Sequence, residues 1–399
     1  MAEPARESPA RPQAPYLAPL GLLLIAIAGL APLLLESRPI EFIPPYVTDF
    51  AQTVTKVVAA VLLCIPLAVR DWVDRRAEPR AAFLTSVFLI LAGLMTWWHA
   101  YAVDAEHGDW QRQLYWDILS QSGDDKGLRI PHQFRPLPYG FVRTLECITG
   151  DWWFSCVLYR WFFTFWFLWG AHRFARLFLP PGPALATLVP LAVLYPVSVL
   201  YYFGQLTDPL SHALFIFALI FLVQDRWLVL AATLALGILA KETVLLVTVS
   251  YFACYWWRGW PALLKTAALG VTCEAAYFAV RLPLGWRLGY GAINGTTELM
   301  ILPNLFGSEK YNYPCSLVMN YLYPLLFVGS FLPLIVWGWR RIDGRLQAIC
   351  LTLVPLVLLS NLCFGWMYES RNYMPLIPLL ATMAGQALTV KARSTKQTA

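Results

Sequence analysis

The chain of 399 residues is 58% hydrophobic, 15% aromatic and 14% charged, with a formal net charge of +6 and a mean hydropathy of +0.55. So few charges exclude an ordinary soluble domain, in which about a quarter of the residues are charged. The cations are scattered over short breaks between apolar runs instead of forming a stripe, which argues against a nucleic-acid partner and marks membrane topology.

The first 16 residues, with Arg6, Arg11 and several prolines, predict a disordered cytoplasmic tail. Apolar runs of about 16 to 22 residues then recur to the end of the chain, long enough for helices crossing a roughly 30 Å hydrocarbon core, and no alternation suggests barrel strands. Spans are read at 17–35, 50–69, 82–102, 152–170, 184–203, 209–224, 227–240, 243–257, 264–282, 317–338, 346–365 and 374–390. The expected fold is all-α: a polytopic transmembrane helix bundle of about twelve spans over 17–390, with a second cytoplasmic tail at 391–399. Ala26-Ile27-Ala28 resembles a signal-peptide cleavage site, but the run stays apolar to Leu35, which favours an uncleaved first span.

Orientation follows from the short basic loops. With both termini inside the cytoplasmic membrane, Arg70 to Arg80, Arg173 with Arg176, Arg226, Arg258 with Lys265, Arg340 with Arg341 and Arg345, and Lys391 to Lys396 all lie in the cytoplasm. This requires 227–257 to be a hairpin of two short helices; one continuous helix would invert everything after it. The outer face then holds 36–49, the long break 103–151, 204–208, the tip at Lys241-Glu242-Thr243, 283–316 and 366–373. The eight cysteines form no Cys-x-x-Cys pair, so neither zinc nor a disulfide framework is indicated, although Cys147 and Cys315 fall in outer loops and leave one disulfide open.

The long outer loop carries two stretches at helical spacing, Trp110 to Leu119 and Phe141 to Ile148. Each reads either as a short interfacial helix or as a helix packed on the protein. Asp104 and Glu106 stand at the mouth of the third span, placed to take a proton from a hydroxyl, or simply solvated. His132 and Arg135 flank a backbone stiffened by Pro136 and Pro138 and suit a phosphate or carboxylate; Arg135 equally suits an ion pair with a loop acid. Asp208 reads as a helix cap or a site residue. Lys241 and Glu242 interrupt apolar sequence and must reach water, each other or a ligand. Glu369, Arg371 and Tyr373 lie among aromatics that line a sugar or grip the interface. Arg160, inside the fourth span, has no evident partner in the sequence. There is no Walker loop, no Gly-x-Ser-x-Gly elbow and no His-Glu-x-x-His motif, which sets aside nucleotide-driven pumps and conventional serine or zinc hydrolases.

Taken together, Phe134-Arg135-Pro136-Leu137-Pro138, Thr207-Asp208-Pro209, Gly237-Ile238-Leu239-Ala240-Lys241-Glu242-Thr243 and Glu369-Ser370-Arg371-Asn372-Tyr373 resemble the polytopic glycosyltransferases of the GT-C superfamily, in particular bacterial members that use polyprenyl-phosphate sugars. The resemblance covers roughly 82–390, making 17–69 an added helix pair. Two features depart from the pattern: the acidic loop follows the third span instead of the first, and Asp104-Ala105-Glu106 matches the usual acidic pair only loosely.

The resemblance implies a membrane glycosyltransferase taking a hexose or pentose from a polyprenyl-phosphate sugar, with inversion, to a lipid, glycan or protein acceptor at the outer face. In that role Asp104, or Glu106, is the base, and His132, Arg135, Asp208, Lys241, Glu242, Glu369, Arg371 and Tyr373 bind substrate. No metal site and no cofactor is predicted, with a divalent cation left open. The competing classes are a lipid or glycan flippase or transporter, and a non-catalytic membrane scaffold.

Overall fold

The computed structural model describes residues 81–102, 134–200, 205–283, 300–306 and 317–389. Among the described residues the protein is helical throughout, without a strand. The spans read at 17–35 and 50–69, and the stretch from Trp110 to Leu119, lie outside them.

The helices are α1 (Ala81–Ala102), α2 (Pro136–Thr149), α3 (Trp152–Arg176), α4 (Pro181–Ala186), α5 (Leu188–Leu200), α6 (Thr207–Val223) and α7 (Trp227–Ala240), followed by α8 (Val247–Tyr255), α9 (Trp260–Arg281), α10 (Ile301–Phe306), α11 (Leu317–Phe327), α12 (Leu332–Gly338), α13 (Gly344–Phe364) and α14 (Ile377–Thr389). The long α3 is central, packing against α1, α2 and α6, while α6 packs on α7 and α7 on α9. Its ends are set locally. The Asp151 carboxylate accepts from the Phe154 N–H at 2.6 Å, and Arg173 and Arg176 occupy the last turn, where cations complement the helix dipole. Gly150, at φ 74°, closes α2 just before.

Two helices, α9 and α13, are long and apolar enough to cross a membrane, and a third span arises if the bent pair Asn320–Phe327 and Gly329–Arg341 counts as one. The 40° bend lies beyond Pro324, which cannot complete its helical hydrogen bond, with Gly329 at the break and Pro333 opening α12. Along α9 the large apolar side chains face outward: Trp260 is 74% exposed, Leu264 64% and Val271 69%. Such a surface suits lipid and would be an aggregation hazard in water.

Residues 227–257 form a hairpin. Lys241 adopts extended backbone, a 3-10 turn follows over Glu242–Leu246, and α8 returns to the level where α7 began. The Tyr255 hydroxyl donates to the Leu222 carbonyl at 2.8 Å, the Tyr251 hydroxyl to Asp225 at 2.8 Å, and Arg258 pairs with the same Asp225 carboxylate. Asp225 itself takes positive φ (55°), which Asp tolerates better than most residues, and so turns α6 into α7. Arg226 and Arg258 therefore share one end, together with Arg176, Lys265 and Arg345: Trp227 Nε1 donates to the Lys265 carbonyl at 3.2 Å and Arg345 Nη1 to the Val223 carbonyl at 3.3 Å. This basic end is opposite the tip at Lys241.

The Phe141 to Ile148 stretch is a helix packed on the protein along one face. Tyr139 and Val142 are buried against the bundle, while Phe141 is 43% and Ile148 78% exposed on the other side. Cys147 lies exposed on this helix with a free thiol, and Cys315 is outside the described residues.

Where the hairpin closes, a Cβ on Gly237 would stand 2.9 Å from Val244 Cβ and closer still to its methyl. Gly237→Ala is expected to cost about 1–3 kcal/mol through overpacking, more than the roughly 0.5–1 kcal/mol that Ala gains over Gly within a helix. Adding Val244→Ala should recover much of that loss, making the pair less harmful than the sum of the two, as read by thermal unfolding in detergent. Simple additivity would contradict the close approach that closes the hairpin.

Candidate functional site

At the end opposite the basic residues, side chains from distant segments meet. Asp208 stands in the first turn of α6, before Pro209, which is tolerated there because first-turn N–H groups have no intrahelical partner. The sequence allowed it to be a cap. Instead, no side chain caps α6, and the Asp208 carboxylate binds two cations: Lys241 Nζ at 2.9 Å on Oδ1 and Arg371 Nη1 at 3.0 Å on Oδ2. Lys241 arrives because α7 ends at it. Its backbone N–H still donates to the Gly237 carbonyl at 2.7 Å, while its extended φ/ψ turns the side chain inward. The solvated hairpin tip considered from sequence is therefore replaced by a buried lysine, 5% exposed.

Arg371 arrives on a chain segment curled by successive tight turns from Trp366 to Leu376. This places Glu369 and Asn372 beside it: Arg371 Nη2 donates to Glu369 Oε2 at 3.0 Å, Asn372 Nδ2 donates to the same oxygen at 2.9 Å, and Lys241 Nζ donates to Asn372 Oδ1 at 2.7 Å. His212, one turn beyond Asp208, lies with Nε2 3.1 Å from the Arg371 carbonyl oxygen. Tyr373 is fully buried and its hydroxyl donates to the Met367 carbonyl at 2.9 Å. It therefore braces the segment and does not present a face to a sugar.

A second set adjoins the first through the Lys241-Glu242 bond. Arg135 donates from Nε at 2.9 Å and from Nη2 at 2.8 Å to Glu242 Oε2, and Arg281, the last residue of α9, binds Oε1. Arg135 thus pairs with an acid across 107 residues of sequence, while the acids of the loop before it lie outside the described residues. The Arg281 guanidinium lies 3.5 Å from the Tyr277 ring centroid and 4.9 Å from that of Phe134, a cation held between two aromatics. Burial opposes ionisation of Glu242, but Arg135 and Arg281 outweigh it and bring its carboxyl from an ordinary 4.5 down to about 2.

Four cations thus face three carboxylates: Arg135, Lys241, Arg281 and Arg371 against Asp208, Glu242 and Glu369. Arg160, 1% exposed, adds another buried positive charge within electrostatic reach of Tyr159 and Tyr195. Among the described residues the cluster's cations outnumber its carboxylates, a balance that suits an anion with several oxygens. Beside it, an open groove of about 290 Å³ runs between α3 and α6, lined only by apolar side chains such as Phe162, Phe163 and Trp166 of α3 and Leu210, Leu214 and Phe217 of α6. Among the described residues no cluster of three or more His, Cys, Asp or Glu side chains could hold a metal.

Of the residues singled out from sequence, Arg135, Asp208, Lys241, Glu242, Glu369 and Arg371 come together, while Asp104, Glu106 and His132 lie outside the described residues. Sequence reasoning passed over Arg281, His212 and Asn372. Arg281 had a signal, being a cation at the outer end of an apolar run, against the inside-positive trend. Compared with models of protein families, with curated proteins and with solved structures, the chain matches none.

Removing one partner from a buried ion cluster strands the others, at about 3–5 kcal/mol. Asp208→Asn deprives two cations of their shared anion, whereas Lys241→Met leaves Asp208 paired with Arg371. Unfolding of the purified variants is expected to show Asp208→Asn as the more destabilised by at least about 1 kcal/mol. Equal losses would mean that the carboxylate is not the shared anchor.

Proposed function

We propose that the chain is a membrane glycosyltransferase of the GT-C kind, with about twelve spans, moving a sugar from a polyprenyl-phosphate donor to an acceptor at the outer face of the cytoplasmic membrane. The observation that carries the reading is the meeting of Arg135, Asp208, Lys241, Glu242, Glu369 and Arg371, from four separate stretches of sequence, with Arg281 from a fifth, in one cluster of four cations and three carboxylates beside an apolar groove. A donor of this class has the same two parts, an anionic phosphate and a long hydrocarbon. With the exposed cations of the opposite end in the cytoplasm, the cluster faces outward, where a lipid-linked sugar serves and nucleotide sugars are absent.

In this mechanism an acceptor hydroxyl attacks the anomeric carbon from the face opposite the phosphate, which inverts the configuration. Asp104, or Glu106 two residues further along the sequence, takes the hydroxyl proton. The bond from the anomeric carbon to phosphate oxygen breaks, and its electron pair leaves with the polyprenyl phosphate. The cluster's cations stabilise the charge that grows on that oxygen, and interactions that strengthen as the bond breaks accelerate the step.

Membranes containing the protein, supplied with a polyprenyl phosphate carrying a labelled sugar, should transfer label to an endogenous acceptor, and control membranes should not. Asp104→Asn is expected to lower this transfer by about 10²–10⁴-fold, the usual contribution of a general base. Near-normal turnover would remove Asp104 from that role. Label that crosses the membrane without being transferred would favour a flippase.

A further inference from the structure

The two cation sets of the cluster are not equivalent. Lys241 and Arg371 are 5% and 4% exposed, and Asp208 spends one carboxylate oxygen on each. Lys241 also donates to Asn372 and Arg371 to Glu369, so among the described residues the two cations meet two carboxylates within the fold. A ligand that reached them would have to dismantle the contacts that join α6, the end of α7 and the curled segment.

Arg135 and Arg281 are arranged differently. Among the described residues they share a single carboxylate, that of Glu242, two guanidinium groups to one anion. Arg281 is 3% exposed and fixed between Tyr277 and Phe134, yet its Nη1 makes no hydrogen bond. A buried guanidinium N–H without an acceptor is costly, and the aromatic clamp keeps it from turning toward water. The carboxylate is the more accessible member: the Glu242 side chain is 26% exposed, against 11% for Arg135 and 4% for Arg281. Two guanidinium groups are thus held rigidly, one with a donor unused, while the anion between them sits at the open edge.

We propose that Arg281 and Arg135 form a seat for a phosphate group, and that Glu242 occupies it as an internal substitute which the ligand's phosphate displaces. A phosphate offers more acceptor oxygens than a carboxylate, enough to meet both guanidinium forks and the unused Nη1 of Arg281 together. No covalent change is involved. The identity of the ligand as a lipid-linked phosphate rests on the reading of this end of the bundle as a glycosyl-donor site; the seat itself rests on the two arginines. Glu242, although an acid, then weakens binding by competition, a sign opposite to that of a residue that merely braces the site.

The test uses the full-length protein in detergent, with farnesyl phosphate, farnesol and inorganic phosphate as probes, binding followed by calorimetry and folding by thermal unfolding. Farnesyl phosphate should bind the wild-type protein and farnesol should not compete with it at equal concentration. Arg281→Gln should weaken farnesyl phosphate by about tenfold or more, Arg281→Lys should restore only part of the loss, and Glu242→Gln should tighten it by about tenfold. Inorganic phosphate that binds as well as farnesyl phosphate, with the same Arg281 and Glu242 dependence, would support the seat and identify its source as free phosphate, against the lipid-donor reading. Farnesyl phosphate binding unchanged by Arg281→Gln and Glu242→Gln would overturn the seat while leaving the glycosyl-donor reading intact, as would tight binding that Glu242→Gln weakens. Absence of binding by either phosphate also overturns the seat, and the sugar-transfer measurement judges the donor reading separately. Should Arg281→Gln fail to fold, the sign of the Glu242→Gln effect alone decides.

Discussion

The carboxylate of Asp208, shared between Lys241 and Arg371, is the interaction on which this end of the protein depends. Lys241 ends α7 and Arg371 lies on the curled segment before α14, so one anion holds together the start of α6, the fold-back of the hairpin and a segment more than a hundred residues later. Buried charges seldom add net stability over a well-packed apolar alternative, but each partner becomes expensive to remove once the others are in place. The cluster therefore gives the ends of these helices one arrangement, with the mutual positions of their side chains set to within hydrogen-bond geometry. Specificity of this kind is what a site needs more than stability.

The hairpin turns this anchor into architecture. Because Lys241 leaves helical geometry, α8 runs back beside the bundle to meet Asp225, and the exposed basic residues gather at one end while the paired, buried charges gather at the other. Glu242, next in the chain, extends the buried charges to Arg135 and Arg281. The same α6 that presents Asp208 presents Leu210, Leu214 and Phe217 to the apolar groove, so polar and apolar parts of the surface are joined by one rigid helix.

Much of this was legible in the sequence, for physical reasons. Helical periods and apolar runs located the elements, and the break at Lys241-Glu242 stood out because a charge pair inside a hydrophobic stretch has to be satisfied somewhere. Arg135, Asp208 and Arg371 were singled out by their turn-forming neighbours and by the face the topology gave them. Their partners were not legible, because an ion pair spanning 107, 163 or 33 residues leaves no local pattern. That is why Asp208 could read as a helix cap, why Glu242 could be assigned no partner beyond water, Lys241 or a ligand, and why the buried position of Tyr373 was not foreseen. Arg281 was passed over because it was taken as part of an apolar run, although a cation at the outer end of that run opposed the inside-positive trend.

The central claim is that the ion cluster and the exposed basic residues occupy opposite faces of the membrane. In a chain carrying Cys315→Ser the exposed thiol of Cys147 reports on the first, and a Cys at position 258, in a chain carrying both Cys147→Ser and Cys315→Ser, reports on the second. Treating intact cells, with the outer envelope made permeable, with a membrane-impermeant maleimide should label Cys147 directly and Arg258→Cys only after the inner membrane is opened. Labelling of both positions from the same side, or of Arg258→Cys alone, would contradict the account.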